Sequence, residues 1–142
     1  MAKVGIIYWS GTGNTEKMAE LIAKGAQEAG AKVVCKSVSS ASTDELDGWD
    51  VVALGSPSMG AEVVEESEMQ PFVEAAMPKL KAKKTALFGS YGWGDGEWMR
   101  TWSAEMRASG VDLMDDGLIV NETPDGGSAD ECVEYGRKLA AF

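Results

Sequence analysis

Three short segments hold residue types that could bind a phosphorylated aromatic ligand. The first, Ser10-Gly11-Thr12-Gly13-Asn14-Thr15, combines two glycines with three hydroxyls and an amide. Glycines let the backbone curl until successive N–H groups converge, and a helix opening at such a loop adds partial positive charge. That is the chemistry of a phosphate cradle. The segment holds no lysine, so it is not the triphosphate loop GxxxxGK[ST], and it lacks the third glycine of GxGxxG. Neutral donors alone suit one terminal phosphate bound without magnesium. The plainer alternative is a Gly/Ser strand-to-helix turn with an N-cap.

The other two segments are Ser56-Pro57-Ser58-Met59-Gly60-Ala61-Glu62 and Ser90-Tyr91-Gly92-Trp93-Gly94-Asp95-Gly96. Trp93, flanked by glycines, has little local side chain to pack against, so it is either an exposed ring or one face of a sandwich. Met59 offers a soft, polarizable group on the opposite loop. A methionine and an indole beside a phosphate cradle describe a slot for a flat ring with a phosphate tail. The chain contains no histidine. Ser-His-Asp and Cys-His catalysis, His-ligated metals and His acid-base chemistry are therefore excluded, and any redox or group-transfer chemistry must be carried by a cofactor.

The elements that must position these loops alternate along the chain. Lys3 to Trp9 and Asp50 to Gly55 are nearly unbroken apolar runs, as strands buried on both faces require. Lys32 to Val38 reads as a lysine-flanked edge strand, Thr85 to Gly89 as a fourth strand and Leu118 to Val120 as a short fifth. Between the second and third strands, SSASTDELDG reads as loop with one helical turn. Met18, Leu21, Ile22, Gly25, Ala26 and Ala29 share one face of a helix from Thr15 to Ala29, with Gly30 as its stop. Further helices are expected from Glu66 to Leu80, kinked at Pro71 and ended by Pro78, from the end of the Ser90 to Trp98 loop to Gly110, and at the C-terminus. There Cys132, Tyr135, Gly136, Leu139 and Ala140 form one stripe. Trp98, Trp102 and Met106 fall at i, i+4 and i+8 and read as core. Strands alternating with helices imply right-handed crossovers and a parallel sheet covered on both faces, with ligands at the carboxyl ends of its strands.

The 142 residues, 44% hydrophobic, suit a single domain over 1–142. The 13 basic and 23 acidic side chains give a net charge of −10, which repels nucleic acid and anionic membranes. No apolar run spans a bilayer and no signal peptide precedes the first strand, so the expected compartment is cytoplasmic. Cys35 and Cys132 lack close cysteine neighbours and read as buried thiols rather than a disulfide or metal site.

With YWSGTGNTE at Tyr8 to Glu16, PSMGAE at Pro57 to Glu62, EESEMQPF at Glu65 to Phe72 and LFGSYGWGDGEWMR at Leu87 to Arg100, the sequence resembles the short-chain flavodoxins over essentially its whole length. The resemblance implies an α/β three-layer sandwich with a five-stranded parallel sheet in the order 2-1-3-4-5. It implies a low-potential, one-electron carrier that binds FMN non-covalently and shuttles between semiquinone and hydroquinone. By position, Ser10, Thr12, Asn14 and Thr15 would hold the phosphate, Met59 and Trp93 would flank the ring, and Glu62 would hold the ring N3–H. Backbone groups at Ser90, Tyr91 and Gly92 would meet the pyrimidine carbonyl. In the family a peptide flip at the Met-Gly turn accompanies reduction, which Gly60 permits, whereas Ala61 is expected to strain the flipped turn by about 1 kcal/mol. Pro57 removes one N–H from the phosphate side.

Two electrostatic expectations follow. A negative charge forming on the ring would meet Glu62, Glu65, Asp95 and Glu97, and two unit charges about 10 Å apart repel by about 1.7 kcal/mol at a dielectric near 20, or about 70 mV. Glu65, Glu66, Glu68, Asp95 and Glu97 form either a docking patch for basic redox proteins at the exposed flavin edge or a plain solvated surface. A monomer is expected. A small FMN-dependent NAD(P)H oxidoreductase of the quinone-reductase type is the alternative, but short loops and two covered ring faces leave no room for hydride transfer. A phosphorelay receiver is excluded, because Tyr8-Trp9-Ser10 and Gly55-Ser56-Pro57 replace the acidic residues it needs.

Overall fold

The computed structural model describes residues 2–60 and 62–142. Ala61 lies outside them, and so does the strain expected there. Five strand positions are filled in the order read above, 2-1-3-4-5, and all strand pairings are parallel. The elements are β1 (Lys3–Tyr8), α1 (Asn14–Glu28), β2 (Lys32–Ser37), β3 (Val51–Gly55), α2 (Met69–Leu80), β4 (Lys84–Tyr91), α3 (Glu97–Ala108), β5 (Asp112–Leu113), β6 (Leu118–Asn121) and α4 (Gly126–Ala141). Two 3-10 turns, Val38–Ser40 and Thr43–Gly48, occupy the connection between β2 and β3.

Strand alternation sends one set of side chains to each face. Val4, Ile6, Val51, Ala53, Ala86 and Phe88 pack under α1 and α4 with Met18, Ile22, Cys132 and Leu139. Ile7, Val52, Leu54 and Leu87 pack under α2 and α3 with Phe72, Leu80, Trp98, Trp102 and Met106. Gly5 keeps the second face clear where a Cβ would stand 1.9 Å from the Trp49 ring.

Four expectations change. The fifth strand position is split into β5 and β6, laid end to end along the outer edge of β4. Asp115 holds the break: its Oδ1 accepts from the Gly117 amide at 2.9 Å and from the Tyr135 hydroxyl at 2.8 Å. That phenol also lies 3.1 Å from the Leu87 carbonyl, and burial followed by the Asp115 charge raises its pKa. Tyr135→Phe removes the one phenolic proton that Asp115 Oδ1 and the Leu87 carbonyl share and is expected to cost about 1–2 kcal/mol, read as a lower urea midpoint with unchanged slope. Second, β4 runs through Ser90 and Tyr91, because Ser90 pairs with Val120 and Tyr91 with Asn121. Third, α2 begins at Met69 rather than Glu66 and continues through Pro78, which costs it only the bond to the Glu74 carbonyl. Pro71 sits in its first turn, where the missing N–H has no intrahelical partner. Fourth, Cys35 is exposed on edge strand β2, where only one neighbouring strand covers it, while Cys132 is buried.

Among the described residues no helix is long and apolar enough to cross a membrane. The carboxyl ends of β1, β3, β4 and β6 lie at one edge of the sheet, which brings four loops together there.

Candidate functional site: a groove at the carboxyl edge of the sheet

The loops enclose a groove of about 260 Å³ lined by Trp9, Gly11, Thr12, Asn14, Pro57, Ser58, Met59, Ser90, Tyr91, Gly92 and Glu122. Its first wall is shaped by internal bonds. The Ser10 hydroxyl oxygen accepts from the amides of Gly13 at 3.1 Å and Glu16 at 3.3 Å, curling the loop into the start of α1. Gly13 takes φ +97 at the N-cap, a conformation open to glycine. Thr15 is buried and its hydroxyl meets that of Ser90 at 2.7 Å, fastening α1 to β4. The Thr123 hydroxyl donates to Asn14 Oδ1 at 2.8 Å, fastening the loop to the segment after β6. Of the first-turn amides of α1, that of Glu16 is held by Ser10, while those of Asn14 and Thr15 have no acceptor among the described residues and remain for a ligand.

The second wall hangs on Ser56, which is fully buried. Its hydroxyl accepts from the Glu65 amide at 2.9 Å and donates to the Pro57 carbonyl at 2.9 Å, and its own carbonyl accepts from Trp98 Nε1 at 3.2 Å. The Ser58 amide donates to the Ser90 carbonyl at 3.0 Å. Met59 and Val63 exchange two backbone bonds, 2.9 and 3.0 Å, around a tight turn with Gly60 at φ +48 and Glu62 at φ +56. The third wall is the end of β4, with Tyr91 5.5 Å from Trp98 between ring centroids.

Of the expected site residues, Gly11, Thr12, Asn14, Pro57, Ser58, Met59, Ser90, Tyr91 and Gly92 share this lining. Ser10, Gly13, Thr15 and Ser56 shape it from behind. Glu62 faces elsewhere: its Oε2 accepts from the Trp98 amide at 3.0 Å, capping α3, and its other oxygen lies where a Cβ on Gly94 would stand 2.0 Å away. Gly94, at φ +82, is thus the only residue type that fits beside it. Trp93 follows Gly92 and is 54% exposed, the largest apolar side chain left open to solvent. Glu122 joins the lining beyond the expected set, and Trp9, whose sequence position allows either plain packing or the phosphate side, is on the lining as well. Trp9 Nε1 donates to Glu68 Oε1 at 3.0 Å, and the ring lies 3.0 Å from where a Gly11 Cβ would be. Glu122, at φ +60, donates its amide to the Tyr91 carbonyl at 2.7 Å. The signal for it is the parallel sheet itself, since the loop after the last strand must reach the same edge as the others.

No lysine or arginine lines the groove, and Glu122 is its one charged member. Glu65, placed by its charge among the docking candidates, is instead 4% exposed and organises the start of α2. Its carboxylate accepts from the amides of Ser67 at 2.9 Å, Glu68 at 2.8 Å and Met69 at 2.9 Å, and from the Ser67 hydroxyl. Burial raises its pKa, but the Ser67 hydroxyl and the amides of Met69, Glu68 and Ser67 together outweigh that and hold it below the usual carboxylate range. Asp95 is also paired, 3.0 Å from Arg100, whose hydrogen bond and charge lower its pKa.

The arrangement fits FMN. A helix N-terminus with neutral hydroxyl and amide donors would suit a phosphate monoester, Met59, Tyr91 and Trp9 share the same lining, and the buried Ser58 hydroxyl oxygen has no hydrogen-bond partner among the described residues. Among those residues no cluster of three or more His, Cys, Asp or Glu could hold a metal ion. Comparison with known proteins agrees. The flavodoxin family model matches residues 6–136. Flavodoxin from Clostridium beijerinckii is 53% identical over 135 residues, covering 95% of this chain and 97% of that one. Flavodoxin from Megasphaera elsdenii is 46% identical over 137 residues, covering 96% and 98%. The solution structure of the two-electron reduced Megasphaera elsdenii protein superposes with a TM-score of 0.89 over 98% of this chain and 99% of that one, at 46% identity. The chain belongs to the flavodoxin family and is an FMN-binding electron carrier.

Proposed function

We propose that the four-loop groove is the FMN site of a low-potential, single-domain carrier. The observation that carries this reading is the groove's polarity: neutral donors at the α1 end, Met59 and Tyr91 at the other, and no cation on the lining. When bound, FMN supplies a ring that stores electrons. The chain's residues bind and tune it. Thr12, Asn14 and the α1 amides hold the phosphate, aided by the helix dipole. Met59 and Trp93 flank the ring from opposite loops and exclude water from its faces. Gly60, already left-handed, gives the turn after Met59 a peptide that can reorient at little cost. Glu122 stands on the lining and Glu62 at its turn, and with no counter-cation there, added negative charge at the ring is disfavoured. The Glu62 carboxylate also ties the turn to α3, so a move of the turn is felt at the Trp98 amide.

Longer proteins with segments 28–29% identical to this chain include a putative diflavin flavoprotein and nitric oxide reductase flavorubredoxins, whose names describe redox proteins. We propose that the partners here dock through basic surfaces at the exposed ring edge. Glu66 and Glu68 remain exposed there after Glu65 is assigned to α2. A second cavity of about 250 Å³ beside the Glu62 turn is lined by Glu62, Glu66 and Glu105 and by no cation. The approach of a basic partner is then steered by charge and slowed by salt.

Fluorescence titration of the apoprotein with FMN, followed by anaerobic reduction, tests the reading. One flavin per chain, quenched emission and two separate one-electron steps are expected. A single two-electron step overturns the carrier mechanism in favour of the nicotinamide-dependent oxidoreductase.

A further inference from the structure

We propose that the Ser58 hydroxyl is a specificity group for the polyhydroxylated chain that joins the phosphate of FMN to its ring. The inference rests on the groove being the FMN site. Ser58 is half-buried on the lining, between the phosphate end at Thr12 and Asn14 and the ring end at Met59. Its amide is committed to the Ser90 carbonyl at 3.0 Å, which fixes the residue in place. Its Oγ is buried and has no partner among the described residues.

Four of the neighbouring polar side chains are already engaged. Ser90 Oγ pairs with Thr15, Asn14 Oδ1 accepts from Thr123, Trp9 Nε1 donates to Glu68, and Ser56 Oγ holds Glu65 and Pro57. Pro57, next in the wall, has no N–H to offer. A buried polar group left unpaired is costly, and native proteins keep one where a ligand completes it. A serine side chain has three staggered χ1 wells, so the hydroxyl has rotamers besides its enclosed one to offer a ligand in the groove. A hydroxyl both donates and accepts, and a chain of alcohols does the same, whereas a phosphate only accepts. Position and chemistry therefore favour the polyol over the phosphate.

Ser58→Ala separates this role from a structural one. The dissociation constants of FMN and of riboflavin, which lacks the phosphate, are measured by flavin fluorescence, together with urea unfolding of the apoprotein. The expected result is a loss of affinity of about 5- to 10-fold for both ligands. The apoprotein midpoint stays unchanged or rises, because the deleted group had no partner to lose. Unchanged affinity for both ligands overturns the proposal. Weakening of FMN alone assigns the hydroxyl to the phosphate instead. A lower apoprotein midpoint shows a structural group and overturns it as well. If the wild-type chain takes up neither ligand, the site assignment itself has failed.

Discussion

Gly25→Ala is expected to lower the melting temperature by about 10 °C. A Cβ on Gly25 would stand 1.8 Å from the Val133 carbonyl oxygen and 2.7 Å from its carbon, both in α4. The contact is reciprocal, since a Cβ on Gly136 would stand 1.9 Å from the Ile22 carbonyl oxygen in α1. The two helices meet backbone to backbone, and no flexible side chain can move aside. Relief requires sliding α1 from α4, which loosens Met18, Ile22, Cys132 and Leu139 together. Overpacking of this kind costs about 3 kcal/mol, and for a chain of this size each kcal/mol lowers the melting temperature by about 3 °C. Gly127→Ala is the control. It lies in α4 with nothing within 4 Å of its added Cβ, so alanine's better helix propensity should leave stability equal or slightly higher. Thermal melts followed by far-ultraviolet circular dichroism decide the matter, and a shift below about 3 °C for Gly25→Ala would mean the helices can slide freely.

Glu65→Ala is expected to remove about 3 kcal/mol at neutral pH. The substitution orphans the amides of Ser67, Glu68 and Met69 at the start of α2, each of which now meets a charged acceptor. The pH dependence follows from the direction of the carboxyl's shift. Because the folded protein holds its pKa below the ordinary value of 4.5, the unfolded chain takes up this proton first as pH falls. The stabilisation is therefore complete above about pH 4.5 and disappears as acid protonates the folded state. Urea midpoints of wild type and variant should differ most at neutral pH and draw together as the pH falls below about 4.5. Parallel midpoints across that range would show that Glu65 acts by packing rather than by charge.

The same carboxylate shows where sequence alone stops being informative. A glutamate among Glu66 and Glu68 looks like surface charge, and only the folding of the next four residues back onto Glu65 turns it inward. Strands β1 and β3 were readable because burial on both faces demands unbroken apolar runs, and α1 because its apolar spacing fits one stripe. The order of the sheet came from the family resemblance, since periodicity does not say which strands touch. Ser90 and Tyr91 looked like loop because glycines follow them, yet pairing with β6, 30 residues on, keeps them extended. Ser10 to Thr15 was legible from composition, since hydroxyls, glycines and a following helix are a local pattern. Glu62 was not: its position depends on the Trp98 amide and on the space beside Gly94, each more than 30 residues away. Glu122 enters the groove through a contact that no local pattern announces.

The buried hydroxyl pair of Thr15 and Ser90 bears on kinetics as well as on shape. With Ser10 holding the curl of its loop and Thr123 holding Asn14, the cradle is set by the chain's own bonds before any flavin arrives. Little ordering is left to accompany capture, so encounter by diffusion governs the association rate and the lifetime of the complex is written almost entirely in its dissociation rate.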